Sequence, residues 1–178
     1  MKFKLIVCVN EKNVIGRRGS LLFYIKNDLK NFKRMTTDNV VIMGRKTFES
    51  LPNKKPLPNR INIIMTNDLN YYVEENKDVF IVHNIKEVLE LCEAFFKDKE
   101  LFVIGGGNIY NQFIENDLID EAIVTRVNEG SLEDGDITIQ CPWERSDNWK
   151  IYYESYTQRQ RTDGDDITYK FIVFKKKS

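Results

Sequence analysis

Asp28 opens a stretch in which Phe32 and Met35 follow at i+4 and i+7, with Ile25 and Leu29 on the adjoining side. That spacing presents a carboxylate at the edge of an apolar helical face. Loss of water there raises a carboxyl pKa, which suits the group to proton chemistry or to pairing with a cationic or amidine-like ligand. The plainer reading is an acidic residue that complements the positive end of a helix dipole.

Three further segments end in groups suited to anions. Residues 39–43 form a buried-strand run followed by Gly44, Arg45, Lys46 and Thr47, and a helix-like segment is expected over 48–51. Two cations beside a helix N-terminus suit a phosphate, although basic residues after strands are often just solvated turns. Residues 100–104 run into Gly105, Gly106 and Gly107, then a helix carrying Ile109, Tyr110, Phe113 and Ile114 on one side. Glycines there let backbone approach a ligand closely, but the spacing is not the GxGxxG of the dinucleotide fingerprint, and a tight strand-to-helix turn explains it equally well. Residues 60–65 end at Thr66, Asn67 and Asp68, whose polar groups could cap a helix or hold a ribose or phosphate. In an open α/β sheet such carboxyl ends gather at one edge.

The elements that must position these groups alternate. Strands are predicted over 4–10, 39–43, 60–66, 79–82, 100–104 and 122–127, with helices between them. Asn84 and Glu87 have the form of a capping box before Ile85, Val88, Leu89, Cys92, Phe95 and Phe96 at helical spacing. Three of the four prolines fall within 52–59, which is expected to be an ordered surface loop. Residues 149–158 and 167–175 are expected to form an antiparallel hairpin turning at Asp163-Gly164. Together these predict an α/β fold in one domain over 1–178: a mostly parallel central sheet flanked by helices, closed by a C-terminal antiparallel hairpin.

Composition excludes several classes. With 27 basic and 27 acidic side chains, no global field favours nucleic acid or an anionic membrane, so any anion must be held locally. The apolar run near the N-terminus, about five residues, is shorter than a signal peptide's, and no stretch approaches the roughly 20 residues of a membrane span. Cys8, Cys92 and Cys141 are an odd, scattered set that points to a reducing, cytoplasmic setting. His83 is the only histidine and reads as incidental, so neither a Ser/His/Asp triad nor a His/Cys metal cluster can be assembled. Residues 16–20 could be a mobile loop over the site.

Read in order, the motifs resemble those of dihydrofolate reductases from end to end. They are Asn13-Val14-Ile15-Gly16, Asp28-Leu29-Lys30-Asn31-Phe32-Lys33, Met43-Gly44-Arg45-Lys46-Thr47-Phe48-Glu49-Ser50, Pro56-Leu57-Pro58-Asn59-Arg60, Val103-Ile104-Gly105-Gly106-Gly107, Ile109-Tyr110 and Thr125-Arg126-Val127. The resemblance implies NADPH-dependent reduction of 7,8-dihydrofolate, with hydride passing to C6 and a proton to N5, and antifolate inhibitors among its ligands. It implies that Asp28 hydrogen-bonds the pterin N3 and 2-amino group, with Thr125 supporting it from behind. By the same resemblance Ile6, Cys8, Leu29, Phe32, Leu51, Leu57, Ile104 and Tyr110 line the substrate pocket, and Arg60 holds the carboxylate of the glutamate tail. NADPH contacts are implied for Cys8, Ile15, Gly16, Gly44, Arg45, Lys46, Thr47, Met65, Thr66 and Asn67, and for Ile104 through Tyr110, including Gly105, Gly106, Gly107, Asn108 and Ile109. A cis peptide is implied between Gly105 and Gly106.

The chain departs from the family pattern at Leu21-Leu22-Phe23, where bacterial members carry Leu-Pro-Trp. Phe23 keeps aromatic bulk at a position implied to order a catalytic water and loses the indole donor. Asn67 and Asp68 replace more basic or hydroxyl-bearing neighbours, leaving the preference for NADPH to Arg45, Lys46 and Thr66. Two other readings stay open: a pyrimidine reductase of riboflavin synthesis with the same fold, and a non-catalytic nucleotide-binding relative. A monomer is expected.

Overall fold

The structure, a computed structural model, describes residues 1–17, 20–21, 24–128, 137–162 and 164–178. Strand β1 (Phe3–Asn10) is followed by the short β2 (Val14–Arg17) and β3 (Ser20–Leu21), then by helix α1 (Lys26–Thr36). Next come β4 (Val40–Gly44), α2 (Arg45–Ser50), β5 (Ile61–Met65), β6 (Val79–Val82), α3 (Ile85–Phe95), β7 (Leu101–Gly105), α4 (Gly107–Glu115) and β8 (Ile119–Asn128). The chain finishes with β9 (Ile137–Thr138), β10 (Trp149–Glu154), β11 (Gln158–Thr162) and β12 (Asp165–Lys176).

The main sheet runs β10-β12-β8-β1-β7-β4-β5-β6, with β11 also paired to β12. Every pairing from β8 to β6 is parallel, and those made by β12 are antiparallel. A small second sheet joins β3, β2 and β9.

Alternation along β1 sorts its side chains between two layers. Phe3, Leu5, Val7 and Val9 join a core with Val88 and Cys92 of α3 and Ile109, Tyr110 and Phe113 of α4. Ile6 and Cys8 point to the opposite face, where Cys8 packs near Ile25, Val127 and Tyr169 beside α1. On that same face Phe48 of α2 covers Val41, Met43 and Ile64. Half of the capping box holds: Asn84 Oδ1 accepts the Glu87 amide at 2.9 Å, while Glu87 reaches back past the N-cap to accept the His83 amide at 2.8 Å.

Three expectations are corrected. The helix after β4 begins at Arg45, not at Phe48, because Gly44 is extended and serves as its N-cap. The run 149–158 is two strands: Ser155 is buried, its Oγ accepts the Phe171 amide, and it breaks the ladder between β10 and β11. The turn near Gly164, where φ is 99°, therefore joins β11 to β12, and the long β12 serves β11 with its first half and β10 with its second. No helix follows Thr66; its hydroxyl accepts the Asp68 amide at 3.1 Å in a local turn.

The proline segment is ordered by one side chain. It begins as a 3₁₀ turn, Pro52–Lys54, and is pinned by Asn62, which is fully buried on β5. Asn62 Oδ1 accepts the Leu57 amide at 2.9 Å, and its Nδ2 donates to the carbonyls of Leu57 and Arg60, both at 3.0 Å. Asn62→Ala leaves those backbone groups without partners, at about 1–3 kcal/mol for each group that water cannot reach. Urea unfolding is expected to show that loss, with Leu57 and Arg60 displaced together.

Candidate functional site

Register brings the three strand ends to one rim. Met43 stands beside Gly105, Gly44 beside Met65, and Met65 beside Val82. Thr66 continues past that line, 8 % exposed, and its carbonyl lies 2.8 Å from His83 Nδ1. The histidine that reads as incidental thus ties the end of β5 to the end of β6. Its position next to a capping box gave no signal of that contact.

Along the same rim, β1 and β7 part. Their parallel pairing runs through Phe3↔Leu101, Lys4↔Phe102 and Leu5↔Val103, and beyond it Ile6 carbonyl oxygen accepts the Tyr110 hydroxyl at 2.6 Å. The connection through α4 carries the chain from β7 across β1 to β8, so the winding reverses here. Crevices at such reversals are where open α/β sheets bind ligands.

The glycines leave room at this point. Gly105 has φ 114°, and a Cβ there would lie 2.9 Å from the Tyr110 ring. The Gly105-Gly106 peptide is cis, as the resemblance implies. A Cβ on Gly44 would lie 3.1 Å from Ile109, and one on Gly107 would lie 2.7 Å from Ile137 and 3.8 Å from Ile15. Ile15 and the buried Gly16 are therefore beside the start of α4, together with Ile137 of β9, which no sequence motif marked.

Helix α4 starts at Gly107 with Gly106 as N-cap, no side-chain cap and no acid in its first turn. Helix α2 likewise starts without a side-chain cap, at Arg45, Lys46 and Thr47. Amides left free in this way, beside two cations and the Thr47 hydroxyl near Gly106, suit the phosphates of a dinucleotide. Arg45 pairs with Glu49 at 3.3 Å and stands 5.8 Å from the Tyr71 ring. Asn67 and Asn108 are exposed at the same rim, and the Asn108 Oδ1 accepts from Gln112 at 2.5 Å.

Across the sheet, Thr125 on β8 lies in register with Cys8 on β1, and its hydroxyl donates to Asp28 Oδ1 in the first turn of α1. Burial pushes the Asp28 carboxyl above the ordinary carboxylate range, and the Thr125 hydrogen bond offsets part of that rise. Burial also raises the Cys8 thiol and the Tyr110 hydroxyl, and the charge of Asp28 adds to both. All three cysteines are free.

A cavity of about 520 Å³ opens at Asp28 and Thr125, with Ile6 and Phe32 among its walls. Met35 of the same apolar face also lines it, with Ile123, Tyr153, Phe171 and Val173, which no motif singled out. Leu51, Leu57 and Ile104 gather separately, around Phe48 and Met43, and Leu29 is 36 % exposed on α1. Arg60 is 6 % exposed; its Nε donates to Pro58 at 2.9 Å, its Nη1 to Thr36 Oγ1 at 3.2 Å, and its guanidinium lies 6.0 Å from the Phe32 ring. Phe23 lies outside the described residues, as do residues 18 and 19 of the expected loop. The rest of that loop is a strand pair, with Gly16 opposite Leu21 and Arg17 opposite Ser20.

Among the described residues no group of three or more acidic, histidine or cysteine side chains could hold a metal ion, and no helix is long and apolar enough to cross a membrane.

Comparison with known proteins gives one answer. The family model described as dihydrofolate reductase matches residues 2–176. The dihydrofolate reductase of Bacillus subtilis is 31% identical over 173 residues, covering 97% of this chain and 94% of the relative. That of Candida albicans is 31% identical over 182 residues, covering 92% and 91%. A solved dihydrofolate reductase from Enterococcus faecalis, complexed with NADP(H) and RAB-propyl, superposes with a TM-score of 0.77 at 27% identity, covering 99% of this chain and 97% of that one. The matches span the strand ends, the glycine turn and the buried acid alike: the chain belongs to the dihydrofolate reductase family.

Proposed function

We propose that this protein reduces 7,8-dihydrofolate to 5,6,7,8-tetrahydrofolate with NADPH, in support of one-carbon metabolism and of thymidylate and purine synthesis. The observation that carries the reading is Asp28: a single desolvated carboxylate, steadied by Thr125, in the wall of a cavity on the face of a parallel sheet. An acid in that setting suits the amidine-like edge of a pterin, which offers two donors to one carboxylate.

Gly44, Arg45, Lys46, Thr47, Met65, Thr66 and Asn67, the glycine turn from Gly105 through Asn108, and Ile15, Gly16, Ile109 and Tyr110 are the residues that would hold NADPH, which supplies the hydride for C6 when bound. Ile6 and Phe32, which line the cavity, are read together with Cys8, Leu29, Leu51, Leu57, Ile104 and Tyr110 as the walls that would hold the substrate and exclude water. Arg60, already fixed by Pro58 and Thr36, suits a carboxylate at the mouth, the role read for a glutamate tail. Asp28 anchors the pterin through its 2-amino and N3 donors and sets the acidity of a water that protonates N5. Phe23 is read as the aromatic residue beside that water. We place the protein in the cytoplasm, as a monomer, a setting its free thiols suit.

Loss of absorbance near 340 nm on mixing NADPH, dihydrofolate and the protein tests the activity. Oxidation is expected to need both substrates and to fall by about 10²–10⁴-fold in Asp28→Asn. NADPH binding without turnover in the wild type would instead support a non-catalytic relative.

Stability offers a second check on the same acid. With its native pKa raised, Asp28 keeps its proton in the folded state after the unfolded chain has lost it. Its contribution is therefore greatest below the ordinary carboxylate pKa and is lost as pH rises through the raised value. Asp28→Asn removes that slope, so the variant is expected to melt above the wild type at neutral pH and to converge with it in acid.

Gly105→Ala probes the cofactor end. The new methyl needs a φ that side chains resist and meets the Tyr110 ring at 2.9 Å. Fluorescence titration is expected to show NADPH affinity reduced by about 10-fold or more, equivalent to about 1.4 kcal/mol.

A further inference from the structure

Helix α1 carries Asp28, yet packing does little to fix it. Of its 11 residues only Thr36 is buried, and its N-cap, Ile25, offers no side-chain hydrogen bond to the first turn. The cavity runs beneath the helix from Asn27 and Asp28 to Met35, with Ile123 and Val173 on the sheet side. The N-terminal end of α1, whose first amides have no partner within the helix, needs an acceptor from elsewhere.

That acceptor comes from the C-terminal hairpin. Gln160 Oε1 on β11 accepts the Lys26 amide at 2.8 Å, and its Nε2 donates to the Tyr24 carbonyl at 2.8 Å. Two residues earlier on the same face of β11, Gln158 Oε1 accepts the Tyr169 hydroxyl at 3.3 Å, and that hydroxyl accepts from Asn27 Nδ2 at 3.1 Å. Tyr169 is 1 % exposed and packs with Ile25 and Val127, so its hydroxyl stands on a rigid base. The residues gripped, Tyr24, Lys26 and Asn27, immediately precede Asp28.

We propose that Gln160, with Tyr169 and Gln158, is a positioning clamp that supplies the missing helix cap and sets the reach of the Asp28 carboxylate to Thr125 and to the pterin. This rests on the reductase reading for its kinetic consequence but not for its geometry. Gln160 does not line the cavity, although Gln158 does; it acts through the backbone at the start of α1. Among the described residues, the ionisable groups near Asp28 include Cys8 on β1, Tyr110 on α4, and Lys30, Arg34 and Tyr153 of β10 along the cavity wall, and none of them is altered by changing Gln160.

The test compares Gln160→Leu, which keeps the bulk and removes the amide, with Gln160→Glu, which restores the acceptor for the Lys26 amide beside the positive helix end but not the donor to the Tyr24 carbonyl. Three quantities are measured: kcat/KM for dihydrofolate across pH, NADPH affinity by fluorescence, and the Asp28 carboxyl titration by 13C NMR in the free protein. Gln160→Leu is expected to lower kcat/KM by about 10- to 100-fold, to move the Asp28 titration towards the ordinary carboxylate range, and to leave NADPH affinity unchanged. Gln160→Glu, which regains one of the two bonds, is expected to recover part of kcat/KM. Should the leucine variant fail to fold, Tyr169→Phe, which keeps the ring and removes the hydroxyl, carries the same expectations. An Asp28 titration unchanged in the variant, an equal fall in NADPH affinity, or no recovery with glutamate overturns the clamp. Because the titration needs no turnover, it reads the clamp even where the wild type reduces no dihydrofolate.

Discussion

Taking a carboxylate out of water is unfavourable unless some group answers its charge, and in this fold that group is the hydroxyl of Thr125. The rest of the arrangement follows from this one bond. Thr125 must sit on the face of β8 that α1 covers, which the parallel register of β8 with β1 provides by setting Thr125 beside Cys8. Helix α1 must bring Asp28 down onto that face, although its own apolar residues are mostly half-exposed. Neutralising Asp28 with a full salt bridge would leave it no capacity for a ligand. A single neutral donor offsets only part of the rise that burial causes, and leaves the second oxygen's lone pairs for a substrate.

The opposite side of the crevice is governed by a different constraint, the parting of β1 and β7. Two parallel strands that separate expose ladder groups, and Tyr110 answers one of them by donating its hydroxyl to the Ile6 carbonyl. The ring that does so occupies the space a side chain on Gly105 would need. The glycine turn, the start of α4 and the opening between the strands are consequently one solution to one packing problem, and it leaves free amides facing the rim where Gly44 and Thr66 also end.

These two halves meet at Ile6, which lines the cavity with its side chain and holds Tyr110 with its carbonyl. Arg60 and Thr36 similarly join the loop pinned by Asn62 to the end of α1. Short polar ties thus hold parts of the site that apolar packing leaves loose, which is expected of a face that has to admit ligands.

The alternation of strands and helices, the capped α3 and the ordered motifs shared with the family can all be read along the chain. Those are local properties, written as periodicity, glycine placement and turn chemistry within a few residues. The sequence also singled out Asp28, because a carboxylate at i, i+4, i+7 spacing with apolar side chains is visible without a fold. Tertiary structure decided what lies far apart in the chain: that Thr125 donates to Asp28, that Ile137 closes over Gly107, that His83 ties to Thr66, and that Gln160 caps α1 from 134 residues away. The split between β10 and β11 was equally hidden, since Ser155 breaks a β-rich run only through its bond to Phe171 on a neighbouring strand. A hydrogen bond between distant residues leaves no periodic trace in a single sequence, because its partners are chosen by register and not by spacing.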